Sequence, residues 1–299
     1  MRIEGYRRSN NIEDRGRGRA GGSGLPILAL GSIIRMFGVK GALIVGALLL
    51  VGYFVLPSGL RQQLLGGAAS GEGAQGTGSA CTASPSNEKA CDFSRVVLAS
   101  TEDVWTSQFQ RGVLPRYQNA SGAYEEPTLV IFSEAVATGC GNATSASGPF
   151  YCPRDRKLYI DPTFYDVMER RLRAPGDFAQ AYVIAHEVGH HVQNLIGATS
   201  IKIDGETANQ NSVRVELQAD CLAGVWGHTA RASLQIDDED LGEALNAAHA
   251  IGDDALGHAN ERAYTHGTSA QRQRWFRRGF ESGNARQCDT FAVRSYAEL

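Results

Sequence analysis

The sequence lacks the patterns that mark several common classes of protein. It contains no internal repeat, and none of its six cysteines forms a CxxC pair, so neither a repeat architecture nor a cysteine-rich zinc finger is indicated. Its net charge of −3 over 299 residues gives no indication of nucleic-acid binding. With 42% hydrophobic and 20% charged residues, the chain has the composition of one folded domain plus an extra segment at one end.

A long run without any charge lies close to the N-terminus. Gly41 to Leu60 is twenty residues without a charged side chain, which is long enough to cross a bilayer as a helix. The first 40 residues carry eight basic and three acidic side chains, a balance of +5, and the positive-inside rule then places the N-terminus in the cytoplasm. A secretory signal peptide is the alternative, but the basic region is too long and the run lacks a convincing cleavage site. The sequence therefore predicts a single-pass protein of the cell membrane.

Four segments follow from this interpretation. Residues 1–40 form a basic cytoplasmic segment, and residues 41–60 form the transmembrane helix. Residues 61–80 are rich in glycine, serine and alanine, which cannot bury a core, so they predict a flexible linker. Residues 81–299 form the predicted folded domain, which this topology places outside the cytoplasm.

All six cysteines lie beyond the predicted span, which suits disulfide bonds in an oxidising compartment. They are Cys81, Cys91, Cys140, Cys152, Cys221 and Cys288. Six cysteines allow many pairings, so the sequence leaves the connectivity open, although Cys140 and Cys152 flank a short turn and are the easiest local pair. Metal binding is the less favoured alternative, because scattered single cysteines do not make a zinc site.

The pattern of apolar residues, caps and turns predicts an α+β domain that is mostly helical, with a small β-sheet. A strand is predicted at Thr128–Phe132 and a hairpin within residues 150–161. The predicted helices are 100–111, 162–172, 177–196, 211–231, 237–251 and 269–281.

The motif HEVGH supplies the chemistry of the predicted site. His186 and His190 are four residues apart, so on a helix both imidazoles project from one face and can hold one Zn²⁺. Glu187 lies about 100° further round the helix, where its carboxylate can take a proton from an attacking water molecule. A chance HExxH is the alternative. The context argues against chance, since the motif lies in a well-capped helix with apolar packing surface, and small Gly189 allows close backbone approach.

A catalytic zinc ion takes a third protein ligand and keeps a fourth position open. On the next predicted helix, Glu216 and Asp220 are one turn apart. Glu216 can complete a site of two histidines and one glutamate. Asp220 can accept a hydrogen bond from the outer nitrogen of a ligand histidine, and His186 is the histidine we expect. An exposed acidic pair is the alternative, but the many apolar residues of this helix indicate that it is largely buried.

Several motifs together resemble the bacterial neutral zinc metallopeptidases, which are single-span membrane proteins. These motifs are HEVGHHVQN, ELQAD, THGTSAQRQRWFRRGF, CG…GPFYCPRDRKLYID and the opening MRIEGYRRSNNIEDRGRG. The resemblance covers nearly the whole chain. Within the wider gluzincin group, whose pattern is HExxH followed by ExxxD on a second helix, it implies zinc ligands His186, His190 and Glu216, the general base Glu187, and Asp220 behind a ligand histidine.

The same resemblance draws attention to two further features. His266 and Arg272 match a histidine and an arginine, six residues apart, in membrane-associated gluzincins, where such a group can donate a hydrogen bond to the oxyanion of the reaction. The alternative is that His266 begins a helix and Arg272 pairs with an acid. An edge strand usually binds the substrate in this group, and residues 157–161 are the candidate, with a buried strand that makes no substrate contact as the alternative. His191 is expected on the helix surface rather than at the metal.

The sequence thus predicts a membrane-anchored, zinc-dependent peptidase that acts on peptides or unfolded proteins, with Glu187 as general base. The alternative is a non-catalytic module of the envelope in which zinc stabilises the fold and a surface binds a protein partner. Hydrolysis of another amide, such as a cell-wall crosslink, is a third hypothesis, and no wall-binding segment supports it. No nucleic-acid partner is expected.

Overall fold

The structure is a computed structural model that describes residues 1–18, 78–115, 117, 120 and 122–299. Its strands are β1 Ile12–Arg17, β2 Thr128–Ser133, β3 Ala135–Thr138, β4 Gly141–Thr144, β5 Phe150–Cys152 and β6 Lys157–Ile160. Its helices are α1 Pro85–Gln110, α2 Phe164–Arg170, α3 Asp177–Ile196, α4 Ala208–Ala230, α5 Asp238–Ala250 and α6 Ser269–Ser282. The predicted mostly helical α+β class is confirmed for the described residues.

The main sheet has four strands in the order β1-β2-β6-β5. Strands β1 and β6 both run parallel to β2, while β5 and β6 form an antiparallel hairpin. Four consecutive residues of β2, Leu129 to Phe132, are buried, which explains why this strand is apolar without alternation. Strands β3 and β4 form a separate two-stranded sheet.

The core lies mainly among the helices, with α3 and α4 at its centre. Two glycines allow α4 and α6 to pack backbone against backbone: a Cβ atom on Gly279 would lie 1.9 Å from the Cys221 carbonyl oxygen, and one on Gly224 would lie 2.1 Å from the Phe276 carbonyl oxygen. This close approach carries the start of α6 to the side of α4 that faces α3.

The predicted start of the first helix at Ser100 is wrong. The helix begins at Pro85, where Ser84 caps it by accepting a hydrogen bond from the Asn87 backbone N–H, and proline suits the first helical position. Ser100 and Thr101 are buried inside the helix. Ser100 accepts a hydrogen bond from the Trp226 indole, and the Thr101 hydroxyl donates to the Leu98 carbonyl. Residues that are typical of helix caps therefore form hydrogen bonds in the middle of a helix here.

The helix that carries HEVGH is confirmed at Asp177–Ile196, and it ends at Gly197 with a φ of 79°. The capping signal at its start, Asp177, makes no capping hydrogen bond, and Gly176 occupies the cap position. The Glu243 carboxylate of α5 accepts the free backbone N–H of Phe178 instead, at 2.9 Å. A tertiary contact thus replaces the expected local one.

The first 18 residues belong to the same folded unit as the domain, rather than to a separate basic segment. Strand β1 extends the main sheet, and Arg7 pairs with the buried Glu102 of α1 at 2.7 Å. The Asp14 carboxylate accepts hydrogen bonds from the backbone N–H groups of Ala80 and Cys81. Three arginines of this segment, Arg7, Arg8 and Arg17, therefore find acidic partners in the rest of the domain.

The predicted single-pass topology is wrong for this structure. The predicted span, Gly41–Leu60, lies between β1 and β2, and these two strands pair in one sheet. A single crossing would place them on opposite sides of a membrane. No helix among the described residues has the length and apolar character needed to span a membrane, and the predicted span itself lies outside the described residues, as does most of the predicted linker. The predicted transmembrane helix and cell-membrane location are therefore corrected.

The six cysteines form three disulfide bonds, so the structure selects one of the pairings that the sequence left open. They are Cys81–Cys91, Cys140–Cys152 and Cys221–Cys288. The local pair Cys140–Cys152 is confirmed. The pair Cys221–Cys288 ties the C-terminal segment to α4, one residue beyond Asp220, and could not be deduced from spacing because 67 residues separate its two members.

Candidate metal centre

Three side chains from two helices converge on one point. His186 and His190 project from α3, and Glu216 projects from α4. The Nε2 atoms of His186 and His190 lie 3.2 and 3.5 Å from the two carboxylate oxygens of Glu216. Two ligands at about 2.0 to 2.1 Å from one tetrahedral zinc ion would be about 3.4 Å apart. Both separations are close to this value, and the three ligand atoms all lie within 4.8 Å of one another.

The outer nitrogens of both imidazoles are held by acceptors. His186 Nδ1 lies 2.8 Å from Asp220 Oδ1, and His190 Nδ1 lies 2.8 Å from Gln193 Oε1. The Gln193 amide donates to the Val215 carbonyl, so its oxygen is directed at His190. These contacts orient both rings through Nδ1 and turn each Nε2, the nitrogen that would lose its proton to a metal, toward Glu216.

Gln193 is not among the site residues that the sequence predicts. Its only local signal is its position three residues after His190 on the same helix, which places the two side chains on neighbouring surface. A glutamine at this spacing is common on helices and carries no chemistry of its own, so the pattern gave no reason to select it.

A buried ionic cluster lies behind His186. Asp220 and Arg272 are 0% and 2% exposed. The Arg272 guanidinium donates to both Asp220 oxygens, at 2.8 and 2.9 Å, and the Tyr182 hydroxyl donates to Asp220 Oδ1 at 2.6 Å. Arg272 thus neutralises the carboxylate that orients His186. Arg272 therefore contacts the metal centre indirectly, through Asp220. Tyr182 also donates to Asp220, and the sequence gave no reason to select it.

The carboxylates determine how the imidazoles titrate. Burial alone lowers the pKa of His186, but Asp220, together with Glu216, raises it to about 10. Burial also lowers the pKa of His190, and Glu216 reverses this effect to give a raised value. Burial raises the pKa of Glu216, yet the two imidazoles hold it well below its ordinary value. Glu216 is therefore ionised, and a divalent cation would replace the imidazole protons, which makes its affinity rise with pH.

The glycine of HEVGH permits this convergence. A Cβ atom on Gly189 would lie 2.9 Å from the Ala219 carbonyl oxygen and 3.3 Å from the Ala219 side chain. The two helices therefore touch between the ligand histidines and Glu216. This contact sets the short separations between donor atoms on α3 and α4.

Glu187 lies between the two histidines on α3 and is partly exposed. Its charge raises the pKa of His190, so the carboxylate is close to that imidazole. Within the described residues, no group forms a hydrogen bond with this carboxylate.

His266 lies in the loop that precedes α6, and it is held by Asp253. One oxygen of this buried carboxylate accepts the backbone N–H groups of His266 and Gly267, at 2.8 and 3.0 Å, and the other lies 3.3 Å from His266 Nδ1. A Cβ atom on Gly267 would lie 3.1 and 3.4 Å from Val213 and Leu217, the α4 residues on either side of Glu216. The loop is thus seated on the turn of α4 that carries the third predicted ligand.

The expectation that His191 lies on the helix surface is wrong. Its side chain is 0% exposed, and Nε2 donates to the Glu125 carbonyl at 2.6 Å while Nδ1 accepts from the Tyr151 hydroxyl at 3.1 Å. It does not belong to the metal cluster. Burial lowers the pKa of His191 to about 4, so this imidazole is neutral in the folded protein.

The lowered pKa of His191 predicts a loss of stability in mild acid. An unfolded histidine has a pKa of about 6.5, so between about pH 6.5 and 4 the unfolded chain binds the extra proton and stability falls as pH falls. From pH 7 to about 4.5 this amounts to about 2 to 3 kcal/mol. We expect His191→Gln to lose less stability than the unsubstituted protein over this interval, measured by urea unfolding. Equal losses in the two proteins would show that His191 does not titrate as described.

The candidate substrate strand is also corrected. Residues 157–160 form β6, which is an interior strand between β2 and β5, so its hydrogen-bonding groups are used within the sheet. The edge strand on this side is β5, Phe150–Cys152. Its Tyr151 hydroxyl accepts a hydrogen bond from Asn194 of α3 at 3.1 Å, which ties the edge strand to the helix that carries HEVGH.

Comparison with known proteins supplies the family. Residues 1–291 match the family described as "Putative neutral zinc metallopeptidase". The chain belongs to this family. It is 45% identical over 302 residues to the Escherichia coli (strain K12) protein described as "Uncharacterized protein YpfJ", covering 97% of this chain and 99% of that protein. It is 43% identical over 187 residues to the Mycobacterium tuberculosis protein described as "Uncharacterized protein Rv2575", covering 57% of this chain and 64% of that protein. No solved structure matches the chain significantly.

Membership of the zinc metallopeptidase family implies a zinc cofactor, and the described residues contain one matching set of donors. Among the described residues, His186, His190 and Glu216 are the only group of three or more histidine, cysteine or acidic side chains whose ligand atoms all lie within 4.8 Å of one another. Two imidazoles and a carboxylate are zinc ligands of the catalytic type. The residues present therefore fit the metal that the family implies.

Proposed function

We propose that this protein is a zinc-dependent endopeptidase that hydrolyses peptide bonds in peptides or unfolded proteins. The observation that carries the proposal is the convergence of two imidazoles and a carboxylate beside a free carboxylate, Glu187. A purely structural zinc site is closed by four protein ligands, whereas the group here supplies three. A zinc ion held by these three side chains would keep a fourth position for water or substrate, as catalysis requires.

Each side chain has a distinct task in this proposal. His186, His190 and Glu216 would hold the zinc ion, which when bound acidifies water and polarises the substrate carbonyl. Glu187 takes the proton of the attacking water and passes it to the leaving amine. Asp220 fixes the His186 tautomer.

His266 is proposed to stabilise the negative charge that develops on the substrate oxygen. Asp253 holds its backbone and lies 3.3 Å from its Nδ1 atom, and Nε2 has no hydrogen-bond partner among the described residues. The contact of Gly267 with Val213 and Leu217 supports this task, since it brings the loop next to Glu216. A positive or hydrogen-bonding group at this point favours the transition state over the bound substrate.

The edge strand β5 is the proposed place for the substrate backbone. An extended peptide can add to a free sheet edge through main-chain hydrogen bonds. Tyr151 of β5 contacts both His191 and Asn194 of α3. A peptide paired with β5 would therefore run alongside the helix that carries the metal ligands.

The proposal is tested by digestion of an unstructured casein-like protein with zinc-loaded full-length chain. We expect cleavage that stops when a chelator removes zinc and returns when zinc is added back. Mass spectrometry of the products would show internal cleavage sites. A folded, zinc-loaded protein that cleaves nothing across a broad peptide library would contradict the proposal and favour a non-catalytic zinc module.

A further inference from the structure

The outer face of α6 borders two adjoining cavities that share Ser282. The larger, of about 720 Å³, is lined on α6 by Arg274, Arg277, Arg278 and Glu281. The smaller, of about 310 Å³, is lined by Gln108, Arg111 and Arg286, among others. We call the two cavities together the arginine groove. It lies on the side of α6 opposite Arg272, because residues 274, 277, 278 and 281 recur on one helical face.

The arginine groove is strongly positive. Its five arginines, Arg111, Arg274, Arg277, Arg278 and Arg286, are all exposed, and Glu281 is its one acidic residue. None of the five forms an ion pair with any described part of the chain. Arg278 is held in place over the Trp275 ring, at 5.0 Å from its centroid. A concave surface with this charge attracts anions and concentrates field in the groove.

The kind of anion follows from the other groups that line the groove. Gln108 is 2% exposed, and its Oε1 atom has no hydrogen-bond partner among the described residues. This residue lines the smaller cavity, where its oxygen can accept a hydrogen bond from a peptide backbone N–H, a donor that a polyphosphate lacks. Glu281 also repels a uniformly negative polymer. Guanidinium groups pair well with single carboxylates, so the groove suits acidic side chains spaced along a peptide.

We infer that the arginine groove binds an acidic, extended peptide segment and thereby selects protein substrates that carry aspartate or glutamate away from the cleaved bond. The selection of substrates rests on the proposed peptidase function, whereas the binding does not. Helix α6 connects the two places, since its inner side chain Arg272 contacts Asp220 at the metal centre. An extended peptide of about six residues spans about 20 Å, which exceeds the diameter of one helix.

The test measures binding separately from cleavage. The zinc-loaded full-length chain carrying Glu187→Gln is titrated into a fluorescent peptide with alternating acidic residues, and anisotropy gives the Kd. A triple variant, Arg274→Gln with Arg277→Gln and Arg278→Gln, is expected to bind this peptide about tenfold more weakly. The matched control replaces Arg170, Arg171 and Arg173 by glutamine, three exposed arginines at the end of α2 with the same total charge. It should keep the original Kd.

Three results would overturn the inference. The first is an equal loss of affinity in the control variant, which would show that net charge alone attracts the peptide. The second is tighter binding of single-stranded DNA of equal charge, which would assign the groove to a polyanion. The third is an isosteric amide peptide, with asparagine and glutamine, that binds as well as the acidic one. If acidic peptides bind as expected but are not cleaved by the unsubstituted protein, the proposed function fails and the binding site stands.

Discussion

Glu187→Gln is expected to lower peptide hydrolysis by about 10²- to 10⁴-fold while leaving the zinc content unchanged. Glutamine keeps the shape of the side chain but cannot take a proton from the attacking water. The free carboxylate has no hydrogen-bond partner among the described residues, so its replacement removes no contact that stabilises the fold. Turnover of a fluorogenic peptide, zinc content by elemental analysis and urea unfolding give the three readouts.

The matched control is Glu169→Gln, since Glu169 is exposed on α2 and takes no part in the proposed site. This variant should retain full activity, zinc and stability. Undiminished turnover in Glu187→Gln would refute the assigned base. Loss of zinc together with activity in that variant would instead show that Glu187 serves the metal rather than the proton transfer.

Asp220→Asn is expected to destabilise the protein by about 3 to 5 kcal/mol, because it leaves the Arg272 guanidinium buried without a compensating charge. It should also weaken zinc binding by about 10- to 100-fold, since the contact that orients His186 changes from a carboxylate to an amide. Urea unfolding measures the first effect and zinc titration against a competing chelator measures the second.

An exposed acid provides the comparison for Asp220. The Asp238 side chain is 90% exposed and pairs with Arg231 on the surface, so Asp238→Asn should change stability by less than about 1 kcal/mol and leave zinc binding alone. Similar unfolding curves for the Asp220 and Asp238 variants would mean that the buried pair with Arg272 does not contribute as the geometry indicates. Restored stability in Asp220→Asn combined with Arg272→Met would support it.

The arrangement of the metal centre follows from sequence where helical spacing alone is sufficient. His186 and His190, and likewise Glu216 and Asp220, are four residues apart, so the side chains of each pair share a helix face. The contact between the two helices depends on small residues, and Gly189 was recognisable for that reason. Gln193 and Tyr182 were not recognisable, because neither carries out chemistry and their importance arises only from contacts made across helices.

The N-terminal strand was not predictable from local pattern. Strand β1 has the sequence IEDRGR, which lacks the apolar alternation of a half-buried strand, and its partner β2 lies more than a hundred residues later. Edge position and ion pairs, such as that between Glu13 and Lys157, stabilise it instead of apolar burial. The +5 charge balance of the first 40 residues therefore resembles a membrane-topology signal, whereas Arg7, Arg8 and Arg17 pair with acids of the domain.

Two further errors have a common cause. His191 and residues 157–160 were placed by reasoning about one element at a time. Whether a helix face is exposed, or a strand lies at an edge, depends on what covers it. Strand β5 covers His191 through the Tyr151 contact, and it covers the edge of β6 by pairing with it. Such coverage comes from tertiary packing, which short-range sequence patterns do not encode.

The most direct test of the metal centre is the zinc content of purified full-length protein after dialysis. We expect one zinc ion per chain, and strongly reduced zinc in His190→Gln and Glu216→Gln, each checked by circular dichroism to be folded. His249→Gln, at an exposed histidine of α5, should keep its zinc. Full zinc content in the first two variants would show that the ion is held elsewhere and would contradict the site described here.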